Sequence, residues 1–147
     1  MCGISGIFGR NKIDQIFNLV KAQDHRGPDS SAVIFGKYFS LGFNRLSIID
    51  LHHRAMQPFI SNDKKKILVF NGEIYNYKKI KEKYFSKYKF KTKSDTEVLM
   101  ASLERWGINA LSKIFGMFAF CYIDQEKNEA YLARDRFGQK PLYFSKM

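Results

Sequence analysis

The chain has 147 residues, 45% hydrophobic and 16% aromatic, enough apolar material for the core of a single globular domain. Its formal charge of +11 raises the question of a polyanionic partner, whereas two distant cysteines and three histidines without ligand spacing give neither a disulfide framework nor a metal site, and no metal is expected. No stretch approaches the ~18 consecutive apolar residues of a membrane span, and the N-terminus has no basic leader or cleavage site, so neither membrane nor secretion is expected and the chain is assigned to the cytoplasm.

The chain opens Met1-Cys2-Gly3. Removal of Met1 would leave a cysteine bearing a thiol and an α-amine on one residue. A thiol titrates near ~8.5 and an α-amine near ~7.7–8.0, so the amine is a matched proton acceptor for the sulfur beside it. Any chain can begin Met-Cys, however, and the dipeptide alone does not make a nucleophile. The apolar run ISGIF that follows predicts a strand over 2–9. Its glycines lie inside that strand, which rules out a dinucleotide-binding loop, whose glycines follow a strand and open a helix. A helix is expected over 13–23, a turn at HRGPD, and strands over 31–35 and 38–44. Arg45 then sits among apolar neighbours at a strand end and needs a partner. That partner is either a structural carboxylate or, for a planar bidentate donor, the carboxylate of a ligand.

An irregular stretch after Asp50 precedes strands near 56–60 and 66–70. Asn71-Gly72 reads as a turn, and the helix-favouring EIYNYKKIKEKY behind it argues for a strand-to-helix turn over a hairpin. Such a turn presents the Asn71 amide and a bare Gly72 N–H, donors suited to an oxyanion. Helix is expected over 76–84, with Ile80 and Tyr84 as its buried stripe and the surrounding lysines as a solvated face. That pattern, with no clustered arginine, argues against specific nucleic-acid binding. A further helix over 95–106 opens at SDTE, where Ser94 and Glu97 form a capping box and Asp95 occupies the first turn. Segments GMFAFCYID, EAYLARD and PLYFSK, separated by turn-rich EKN and FGQK, read as an antiparallel meander that Cys121 joins as a core residue. The pattern is α+β.

MCGISGIFG, HRGPDS, NRLSIIDL, QPF, NGEIYNY, SDTEVL, GMFAF and ARDRFGQKPLYF together resemble the glutaminase domain of glutamine-hydrolysing asparagine synthetases, in the expected order and over the whole chain. RGPD and GEIYNY separate this resemblance from the sugar-phosphate and phosphoribosyl amidotransferases. It implies a class II glutamine amidotransferase domain over 2–147, built as a four-layer αββα N-terminal-nucleophile (Ntn) hydrolase sandwich of two antiparallel sheets. Cys2 would attack the side-chain amide of glutamine, its α-amine would shuttle the proton, and ammonia and then glutamate would leave. Asn71 and Gly72 would stabilise the oxyanion, Arg45 would grip the α-carboxylate, and Asp95 with Glu73 would hold the α-ammonium. The backbone of Leu46, Ser47, Ile48 and Ile49 would line the site. His25 and Arg26 read as loop architecture without a catalytic role.

The resemblance also implies parts that these residues do not carry. ATP and Mg would serve only a synthetase domain, and no Gly-Ser-rich phosphate loop occurs here. Family members continue with further strands after PLYFSKM, so the sandwich is expected to be incomplete at its C-terminal side, with an open edge. Glutamine is the expected substrate and a separate synthetase chain a candidate partner; the glutaminase step needs no cofactor. The alternatives are a truncated, non-catalytic remnant and an amidotransferase module serving another acceptor.

Overall fold

The computed structural model describes residues 2–9 and 13–146, so the expected processing of Met1 lies outside the described residues. In chain order the elements are β1 (Gly3–Phe8), α1 (Ile13–Ala22), β2 (Ser30–Phe35), β3 (Phe39–Arg45), β4 (Phe59–Ile60), β5 (Lys66–Ile74), α2 (Tyr77–Tyr84), α3 (Asp95–Trp106), β6 (Gly116–Asp124) and β7 (Glu129–Arg134). The strands form two antiparallel sheets, ordered β1-β3-β2 and β4-β5-β6-β7.

Strand alternation decides what each sheet face touches. On β3, Phe39, Leu41 and Phe43 point inward and meet Ile67 and Val69 of β5 and Cys121 and Ile123 of β6, making one seam between the sheets. Each such buried aliphatic or aromatic side chain is worth about 1.5–3 kcal/mol relative to exposure. Residues of opposite parity serve the outer layers. Leu68, Phe70 and Ile74 of β5 and Phe118, Phe120 and Tyr122 of β6 pack under α2 and α3 with Ile80, Val98 and Leu99. Outside the other sheet, α1 buries Ile16 and Val20, and the Asn44 amide of β3 donates to Val20 O (3.1 Å) and Asp24 Oδ1 (3.0 Å). The result is the four-layer αββα order.

Two expectations about local structure are corrected. Asn71-Gly72 is not a turn: β5 continues to Ile74, paired with β6 from Lys66↔Asp124 to Ile74↔Gly116, and this pairing overrides the local turn preference. PLYFSK forms no strand; it pairs with none of the sheet edges, and Tyr143 and Phe144 are 91% and 85% exposed, so apolar character alone does not bring a segment into a sheet. The reading of α2 holds, with Ile80 buried and Tyr84 packed against the core.

Candidate active site

The inward parity that builds the seam also builds a cavity at one end of it. Cys2 and Ile4 face the seam from the β1 side, Arg45 continues the inward row Phe39, Leu41 and Phe43, and Asn71 and Glu73 continue the inward row Ile67 and Val69. The N-terminal end of α3 adds Asp95. All ten residues singled out from the sequence, from Cys2 to Asp95, line this one cavity of about 130 Å³.

The Cys2 sulfur is anchored at the end of β3. The Leu46 N–H donates to Sγ (3.4 Å), and the thiol donates to Leu46 O (3.5 Å). The segment beyond β3 is itself held by the HRGPDS loop, where Asp29 N donates to Arg45 O (3.0 Å) and Ser47 N donates to Asp29 Oδ2 (2.7 Å). His25 and Arg26 do not line the cavity. Arg45, 7% exposed, does not meet the structural carboxylate weighed from the sequence. Its Nη2 donates to Asp50 O (2.6 Å) and His52 O (3.3 Å), and among the described residues no carboxylate pairs with it. Leu46, Ser47 and Ile49 form the adjoining wall, and Ile48, 71% exposed, its rim.

Gly72 gains its access from strand geometry. In an antiparallel strand, residues of one parity direct both N–H and C=O to the same edge. On β5 the Phe70 backbone is clamped by the Gln57 side chain, N to Oε1 at 2.6 Å and O from Nε2 at 3.1 Å, and Ile74 N donates to Asp95 Oδ2 (2.8 Å). β4 covers this edge only at Ile67 and Leu68. Gly72, midway between Phe70 and Ile74, therefore aims its N–H at the same open edge, into the cavity. The Asn71 amide beside it accepts and donates no hydrogen bond among the described residues. Gly72 must lack a side chain for a second reason: a Cβ there would stand 2.2 Å from Met117 O of β6.

Asp95 is 4% exposed, and burial pushes its carboxyl up to about 6, with Glu73 raising it further against the Ile74 N–H that opposes the rise. Ser94 caps α3, accepting from Glu97 N (3.4 Å), but Glu97 does not complete the expected box. Its carboxylate instead receives Lys91 N, Thr92 N and Thr92 Oγ1 and shapes the loop ahead of the cap. Sequence reasoning missed Gln57, Asp29, Asp50 and Lys140. Lys140, 3% exposed, reaches the cavity from a loop wound about Asp135, whose carboxylate accepts N–H groups from Phe118, Phe137, Gln139 and Lys140. The motifs QPF, HRGPDS, NRLSIIDL and ARDRFGQK contain all four and were the available signal.

A thiol beside two free N–H donors, with a guanidinium and two carboxylates in the same small space, suits attack on an amide carried by a zwitterionic amino acid. The fold is that of the Ntn hydrolases: glutamine phosphoribosylpyrophosphate amidotransferase from Bacillus subtilis superposes with a TM-score of 0.74 over 92% of this chain and 37% of its own, at 22% identity. The sequence model of the family described as "Glutamine amidotransferase domain" matches residues 1–147, and the chain belongs to that family. It is 41% identical to asparagine synthetase [glutamine-hydrolyzing] 1 of Bacillus subtilis, over 99% of this chain and 24% of that protein. It is 37% identical to asparagine synthetase B of Escherichia coli, over 97% and 26%. The chain thus spans about a quarter of the length of these relatives, and it corresponds to their glutaminase part. No helix among the described residues is long and apolar enough to cross a membrane.

Proposed function

We propose that this domain hydrolyses glutamine to glutamate and ammonia at Cys2, as the cytoplasmic glutaminase half of an asparagine-forming system. Once Cys2 is N-terminal, its α-amine takes the thiol proton as sulfur attacks the side-chain amide carbon. Asn71 Nδ2 and Gly72 N–H stabilise the resulting oxyanion. The amine returns the proton to the leaving nitrogen, ammonia departs, and a thioester remains. Water activated by the same amine then releases glutamate and restores the thiol. Arg45 holds the substrate α-carboxylate, Asp95 and Glu73 hold its α-ammonium, and Leu46 to Ile49 contribute backbone.

The observation that carries this reading is the meeting of Cys2, Arg45, Asn71, Gly72 and Asp95 around one cavity, with the Gly72 N–H aimed into it. The step needs no cofactor; ATP and Mg act at a synthetase domain, outside these residues, that amidates aspartate. Purified protein lacking Met1 is expected to release glutamate and ammonia in equal amounts, and Cys2→Ala to release neither. Glutamate release that survives Cys2→Ala would refute the assignment.

A further inference from the structure

Asp50 does not line the cavity, yet it connects two walls of it. Its carbonyl accepts Arg45 Nη2 at 2.6 Å. Its carboxylate, whose side chain is 2% exposed, accepts Lys93 N (2.8 Å, Oδ2) and His52 N (3.3 Å, Oδ1) and pairs with Arg54 Nε (3.5 Å). The Lys93 N–H is the main cause holding this carboxyl below its ordinary range, against the burial that opposes it. Asp50 adopts φ 50, a left-handed conformation that Asp and Asn tolerate better than most residues, which turns its carbonyl toward β3 and its carboxylate toward α3.

Lys93 immediately precedes the Ser94 cap of α3, and Asp95 follows it by two residues. Among the described residues, the bond from Lys93 N to Asp50 is the only hydrogen bond joining segment 46–52 to residues 91–97. One residue therefore ties the end of the strand carrying Arg45 to the start of the helix carrying Asp95. We propose that Asp50 is a positioning residue that fixes the separation of Arg45 and Asp95 to the span of an α-amino acid head group. This rests on the glutaminase reading, in which those two side chains take the α-carboxylate and the α-ammonium. Asp50 touches no reacting atom. It acts on recognition of the head group and leaves the sulfur unaffected.

Two electrophiles separate these effects in the full chain lacking Met1: a glutamine-analogue electrophile that carries the head group, and iodoacetamide, which does not. Asp50→Asn keeps the backbone preference and removes one acceptor and the charge. It is expected to slow Cys2 labelling by the analogue about tenfold and to raise KM for glutamine by a similar factor, with kcat and iodoacetamide labelling within about twofold of wild type. Analogue labelling at the wild-type rate, or an equal fall with both electrophiles, would overturn the proposal. Wild-type protein that iodoacetamide labels at Cys2 and the analogue does not would remove the glutamine reading, and this inference with it. Should Asp50→Asn not fold, amide exchange at Lys93 in the wild type decides: protection that glutamate deepens supports the tie, and exchange at the rate of an open loop refutes it.

Discussion

Asp95 brings pH into glutamine binding. With its folded value pushed up to about 6 and an unfolded value near ~3.9, its carboxyl is neutral below pH 6 and attracts an ammonium only above it. The sign for stability follows: the folded state holds the proton more tightly, so this group's contribution is lost as pH rises from about 4 to about 6. An ammonium bound beside Asp95 reverses that loss. Glutamate is therefore expected to raise the melting temperature more at pH 7 than at pH 5, and Asp95→Asn to abolish the difference; equal shifts at both pH values in the wild type would contradict this role. At this scale the sequence disclosed the reactive residue types and little of what holds them. Cys2, Arg45 and Asp95 stand out because a terminal thiol, an arginine among apolar neighbours and an acid in a first helical turn each have few uses. Asp29, Asp50 and Gln57 bond to backbone from afar, and neither hydrophobic periodicity nor spacing marks such a partner.

The element that mattered most was the one read least accurately. Asn-Gly is a strong turn signal in isolation, and here both residues lie within β5 because nine successive residues pair with β6. The donors are thereby placed on a rigid strand edge, more fixed than a turn would make them. Gly72→Ala sets a Cβ against Met117 O and must part β5 from β6. It is expected to cost about 1–3 kcal/mol in a urea melt and to abolish turnover, whereas an unchanged midpoint would show that the strands yield freely. The α3 start was legible in Ser94 and Asp95. Glu97 was assigned to the wrong partner, since its carboxylate serves the preceding loop, a tertiary choice that the capping pattern does not contain. The apolar character of PLYFSK predicts a strand, but the segment pairs with no sheet edge and leaves Tyr143 and Phe144 exposed.

Across the whole molecule, eight short motifs in order were enough to imply the αββα sandwich: seven of them contain a residue that lines the cavity at one end of the seam, and HRGPDS holds the adjoining wall through Asp29. Periodicity alone gave α+β and could not choose among its topologies. The surplus lysines remain largely on solvated faces, some with their ammonium groups over partly buried rings, as Lys81 over Phe90. The two cysteines differ sharply: Cys2 lines the cavity, while Cys121 lies in the seam, where burial pushes its thiol up to about 12. The measurement that reports most directly on a glutamine-hydrolysing Cys2 is therefore the intact mass of the purified chain before and after a glutamine-analogue electrophile, with Cys2→Ala alongside. Loss of Met1 and a single adduct, absent from Cys2→Ala and never found on Cys121, is the expected result. A chain that keeps Met1, or takes no adduct dependent on Cys2, would contradict it.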